Sequence, residues 1–206
     1  MSTIKTLNLV ALTIILLHGN QSTSTQATGR PAQEFPDIKT ALSAIASTWK
    51  VRLGLEYAPH DTDRQPVALN QLETNPEQAL NSLVAQKPEY AWTRTDDVYN
   101  IYPRGTTGGL LDVQVSLFEL RDAPLEIAVD KIYALPAVRA WLQKNRVKRR
   151  QLELGPPMKT DHLRISVSLR HTTVRRILNQ IITKADRPNW IAVRYGKNQQ
   201  YIAIYF

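Results

Sequence analysis

Apolar residues recur along this chain in two rhythms, and the same succession of rhythms occurs twice. In residues 74–84, Ala79, Leu80, Leu83 and Val84 fall on one helical face, and Thr74 or Asn75 is placed to cap a helix whose first turn holds Pro76. Residues 66–72 alternate before it. Residues 89–95 and 98–103 alternate after it, around Asp96-Asp97, which predicts a hairpin. Near the other end, residues 164–170 place Ile165, Val167 and Leu169 on one face of a strand. Thr172 or Thr173 then caps a helix carrying Val174, Ile177, Leu178, Ile181 and Ile182. Residues 189–195 and 200–206 follow, joined by the turn sequence Gly196-Lys197-Asn198.

A constant offset of 98 places Val67, Leu69, Thr74, Leu80, Asn81 and Leu83 on Ile165, Val167, Thr172, Leu178, Asn179 and Ile181. A two-residue insertion then aligns Pro88 and Tyr90 with Pro188 and Trp190. Each copy also has a helix and strand upstream. The first has an apolar stripe of Ile38, Ala41, Leu42, Ile45 and Ala46, then a strand over 50–57. The second has a strand over 113–120, then a helix entered at Pro124. Pro136 interrupts that helix, which resumes over 137–145 before a strand at 150–154. The strand that should open the first copy is poorly marked, because residues 31–36 contain two prolines. The expectation is an α+β protein of two tandem βαββαββ-like modules, each with two helices packed on small sheets. Their spans are 31–103 and 113–206, with 104–112, which includes the glycine-rich 104–109, as a linker.

This order of elements resembles the secretin and TonB short N-terminal domain. The likeness is carried by 38-IKTALSAIA-46, 67-VALNQLETNPEQALNSLV-84 and 98-VYNIYP-103, and again by 124-PLEIAVDKI-132, 165-ISVSLRHTTVRRILNQII-182 and 201-YIAIYF-206. It is a pattern of apolar positions rather than an invariant motif, and similar patterns occur in periplasmic anti-sigma regulators. The resemblance implies a periplasmic protein–protein interaction or assembly module. Its partner would be an envelope protein of the secretin, TonB-dependent receptor or anti-sigma regulator class. A sensor domain signalling to a membrane partner is the second reading, and a cell-envelope hydrolase the third. Secretin and receptor chains continue into a membrane barrel, whereas this sequence stops at Phe206.

The N-terminus changes the picture of location. Lys5 precedes the apolar run of residues 7–17, too short to span a bilayer, and a polar segment ends near Ala27, as in an export signal over 1–27. An uncleaved anchor is the alternative. Export implies a periplasmic protein, with association to the outer membrane as a further option. The absence of cysteine excludes disulfides and thiolate metal sites.

Charge divides the chain. Residues 31–103 carry six Lys/Arg and ten Asp/Glu, a balance of −4, and residues 104–206 carry eighteen and eight, a balance of +10. Such asymmetry points to a charged partner or to head-to-tail contact, so self-association is one expectation. The run 144-KNRVKRR-150 concentrates Lys144, Arg146, Lys148, Arg149 and Arg150, suited to an acidic protein, an anionic lipid or polysaccharide, or simply to a solvated helix end. Arg139, Arg175 and Arg176 would extend it if the fold gathers them. Nucleic acid fits less well. The 105–108 GxxG spacing joins strand to strand, where a clamp of that type requires two helices.

The terminal strand offers a second contact surface: Tyr201 and Tyr205, opposite its Ile/Phe face, would lie on an edge able to accept a partner's strand. Trp49, Tyr90, Trp92, Trp190 and Tyr195 sit mostly in predicted strands and read as packing residues. His60 with Asp61 and Asp63 reads as a polar loop. His162 and His171 lack metal-ligand spacing. No nucleophile elbow or phosphate loop is present, so no catalytic residue, metal or cofactor is assigned and the chain is read as a non-enzyme.

Overall fold

A computed structural model describes residues 32–58, 65–70, 73–106, 108–150, 163–195, 198 and 200–206. The export signal at 1–27, His60, His162, the Gly196-Lys197 turn and all but Arg150 of the strand expected at 150–154 lie outside them. The described chain is mixed α+β, with five α-helices and ten strands in three sheets.

Strand β1 (Gln33–Phe35) forms between the two prolines and leads to α1 (Ile38–Trp49). Asp37 caps α1 by accepting from the Thr40 N–H at 2.7 Å, and Lys50 ends it in the left-handed region at φ 53°. Next come β2 (Arg52–Tyr57), a short β3 (Val67–Leu69), and α2 (Pro76–Gln86), which Asn75 caps through the Gln78 N–H. The hairpin of β4 (Tyr90–Thr95) and β5 (Val98–Pro103) turns at Asp96 and Asp97, with φ of 53° and 59°. Positive φ at both central residues matches the right-handed twist of the flanking strands.

Residues 110–112 form a 3-10 turn, and Leu110 and Leu111 are buried. That end of the expected linker is core, because two adjacent leucines gain more from burial than from spanning a gap. The long β6 (Gln114–Pro124) then runs into α3 (Leu125–Ala134). Pro136 begins α4 (Pro136–Lys144), as the interrupted helix predicts. The following strand, β7 (Lys148–Arg149), begins upstream of its expected position. It is followed by β8 (Arg164–Thr173), α5 (Val174–Lys184) capped by Thr173, β9 (Asn189–Tyr195) and β10 (Tyr201–Tyr205).

β1 pairs antiparallel with β3, and β6 with β8. The remaining strands form one sheet in the order β4-β5-β2-β9-β10-β7. The small sheets expected of separate halves are therefore joined, by parallel pairing of β2 with β9 from Leu53↔Asn189 to Tyr57↔Val193.

Two apolar cores lie on opposite faces of this sheet at its centre. Leu53, Leu55, Tyr99 and Ile101 pack with α1 and α2, and their neighbour Ile191 joins them. Trp190 and Ala192, on the other face, pack with Ile202, Ile204 and α5. Gly54 is required at this seam: a Cβ there would sit 2.3 Å from Cζ2 of the fully buried Trp190. The indole N–H donates to Asn179 Oδ1 at 2.8 Å, and the Asn179 amide donates to the Thr95 carbonyl. In the first half, Trp92 donates likewise to Asn81 at 3.1 Å.

Candidate functional site

The basic run is placed by three local decisions. Helix α4 ends at Lys144, and Arg146 reverses the chain at φ 54°. Val147 then anchors the return by burial in the second core. β7 follows along β10, with Lys148 N–H donating to Gln200 O at 2.8 Å and Arg150 N–H to Ile202 O at 3.0 Å.

Strand alternation sorts the run that the sequence presents as one patch. Arg149 points to the helix side, where its guanidinium pairs with Asp130 and lies 4.7 Å from the Tyr133 ring centroid. Arg150 lies on the other face, over Tyr195 at 5.7 Å and Tyr201 at 5.9 Å, two rings that stack with centroids 5.7 Å apart. Lys148, the ladder partner of Tyr201, shares that face. Lys144, Arg146, Lys148 and Arg150 are exposed and have no ion pair among the described residues. The result is a cationic corner backed by an aromatic platform, able to bind an anionic group by charge and a planar or apolar one by contact.

The open edge expected at Tyr201 and Tyr205 is closed at Tyr201, while the described residues pair nothing with the outer side of Tyr205. β7 occupies the outer side of β10 at Tyr201 and Ile202, making β10 the second strand of the sheet. Both tyrosines are half-buried, and burial followed by the neighbouring Tyr195 pushes the Tyr205 hydroxyl upward. The outer strands of the large sheet are β4 and the two-residue β7.

Arg175 and Arg176 do not extend the patch, because both are held in ion pairs with the acidic half. Arg175 Nη2 lies 3.0 Å from Glu56 Oε2 and 3.3 Å from Asp112 Oδ1, with its guanidinium 5.4 Å from the Tyr102 ring centroid. Arg176 grips Asp96 through two nitrogens at 3.0 and 3.1 Å. Arg52 makes a reverse pair with Asp186 at 2.7 Å, beside a cleft of about 480 Å³ lined also by Ser47, Lys50 and Asn189. Arg139 stays exposed on α4.

Sequence reading missed two buried charges, Lys87, whose ammonium donates to the Gln65 carbonyl at 3.1 Å, and Glu56, for which an alternating strand was the only available signal. The Glu56 side chain is 5% exposed. Burial raises its carboxyl above the ordinary carboxylate range, while Arg175 pulls it back. Sealed and paired, this carboxylate joins the two halves rather than meeting a ligand. His171 is exposed, and no cluster of three or more His, Asp or Glu side chains suited to a metal occurs among the described residues. No helix among them is long and apolar enough to cross a membrane.

Comparison of the chain with protein-family models, with curated proteins and with solved structures finds no match.

Proposed function

We propose that this chain is an exported assembly module built of two βαββαββ repeats, which docks on an acidic envelope protein through Lys144, Arg146, Lys148 and Arg150. The two-repeat reading is supported by recurrent strand pairing. β1 with β3, β2 with β5 and β4 with β5 in the first half are matched by β6 with β8, β7 with β10 and β9 with β10 in the second, each antiparallel, parallel and antiparallel in turn. Resemblance to the secretin and TonB short N-terminal domain supplies the class of partner: a secretin, a TonB-dependent receptor or an anti-sigma regulator.

The observation that carries the docking site is the unequal treatment of cations. Among the described residues, Arg52, Arg149, Arg164, Arg175 and Arg176 are each paired with a carboxylate, whereas these four cations, close together in the chain, are exposed and pair with none. Concentrated positive charge steers an anionic partner and makes its capture sensitive to salt.

Cell fractionation and photo-crosslinking from position 148 test the proposal. The chain is expected in the periplasm, linked to an outer-membrane or inner-membrane protein. K148E with R150E should lower capture at least tenfold and abolish its salt dependence. A cytoplasmic chain would overturn the export reading. Equal capture by the double variant at every salt concentration would overturn the docking site. Capture instead by anionic vesicles or polysaccharide would replace the protein partner with that ligand.

A further inference from the structure

We propose that a second copy of this chain docks head to tail on the first, its β4 approaching the outer side of β7 as β9 lies on β2 within one chain. The inference rests on the two-repeat reading. In the order β4-β5-β2-β9-β10-β7, the same three strands follow one another twice. The internal seam uses β2 of the first repeat and β9 of the second. Their counterparts, β7 and β4, remain at the two ends, and among the described residues β7 pairs only with β10 and β4 only with β5.

The hydrogen-bonding groups are correctly turned for such a repeat. At the seam, Leu53 N–H donates to Pro188 O at 2.9 Å. Arg149 pairs with Ile202 in the second repeat as Leu53 pairs with Tyr99 in the first. Because the N–H groups of Lys148 and Arg150 are directed at β10, strand alternation turns that of Arg149 outward. Pro88, the counterpart of Pro188, precedes β4 and is exposed. Repeating the seam therefore places Arg149 N–H at the Pro88 carbonyl of the second copy, with Arg149 beside Glu89.

Charge selects this pairing. Residues 31–103 carry −4 and residues 104–206 carry +10, so β7 repels another β7 and attracts the opposite end. The contact joins unlike surfaces and does not close on itself as a two-fold dimer would. Arg104 restrains it: its Nε donates to the Tyr90 carbonyl at 2.9 Å, while Tyr90 N–H donates to Lys87 O at 2.9 Å. Both edge groups of Tyr90 are thus engaged, and pairing there must displace Arg104.

The cysteine-free sequence allows a direct test on the purified full chain. Paired residues of adjacent strands lie roughly 5 Å apart, within disulfide reach. L53C with N189C should close inside one chain. An equimolar mixture of E89C and R149C chains should form a linked dimer that neither gives alone, and about 0.5 M salt should suppress it. R104A should increase association about fivefold, equivalent to one hydrogen bond no longer displaced. If the internal disulfide closes but the mixture links no better than either chain alone, head-to-tail docking is overturned and the two-repeat reading stands. If the internal disulfide also fails, the seam and the repeat reading fall together. Cellular location does not affect either result.

Discussion

Gly54→Ala is the sharpest test of the packing at the seam between the halves. A Cβ at this position meets Cζ2, Cε2 and Nε1 of Trp190 at 2.3, 2.4 and 2.8 Å. The indole has little room to withdraw: it is fully buried, and its N–H is held by Asn179, which in turn bonds the Thr95 carbonyl. Forcing a methyl group into such a core costs about 1–3 kcal/mol. Breaking the indole–Asn179 bond leaves a buried polar pair unsatisfied and adds about 1–3 kcal/mol. Replacing a strand glycine returns roughly 0.5–1 kcal/mol through lost chain entropy. The net expectation is about 1–5 kcal/mol of destabilisation, against a total of roughly 5–15 kcal/mol for a typical domain. Urea unfolding followed by circular dichroism measures it without relying on the indole as reporter. In a double-mutant cycle, W190L should cost at least ~1 kcal/mol less beside G54A than alone, because the smaller side chain relieves the clash. A single G54A variant within ~0.5 kcal/mol of the parent would refute close packing of Trp190 on β2.

Truncating Arg175 to Ala should destabilise by about 3 kcal/mol, since it leaves Glu56 buried without its principal partner, while E56Q should cost much less. With the Glu56 carboxyl raised, the stability it contributes is complete below its unfolded value and is lost as pH rises through the folded one; E56Q should remove that component from urea midpoints measured across the acidic range. Asp37 should show the opposite sign. Burial tends to raise its carboxyl, but hydrogen bonds from Thr40 and the nearby Lys39 leave it lowered, so its contribution is present above the ordinary carboxylate range and lost as pH falls through the folded value. D37A should cost about 0.5–2 kcal/mol, and D37N should retain most of the cap without the pH dependence, both measured by urea unfolding. R149E should lower stability by about 1 kcal/mol through loss of its Asp130 and Tyr133 contacts, while K148E with R150E should stay within ~0.5 kcal/mol in the same assay.

Local signals were legible where a single element decides its own form. The apolar stripes of α1, α2 and α5, the stop at Pro136, and the Asp96-Asp97 turn all follow from spacing or backbone preference within a few residues. So did the capping positions, narrowed by structure to Asn75 and Thr173. The candidate patch was legible as a concentration of charge but not as a surface. Alternation about β7 sends Arg149 to Asp130 and Arg150 to the tyrosines, and each contact depends on an element distant in sequence.

By itself, the sequence determined the alternation of helices and strands and the opposite charge of the two halves of the chain, because periodicity and composition are properties of the chain in one dimension. Tertiary structure alone decided that β2 meets β9, that Leu110 and Leu111 enter a core, and that Arg175 is held by Glu56 and Asp112. Strand pairing is made by backbone groups common to every residue and leaves little trace in side-chain pattern. Where a charge is neutralised depends on which distant carboxylate the folded chain brings within reach.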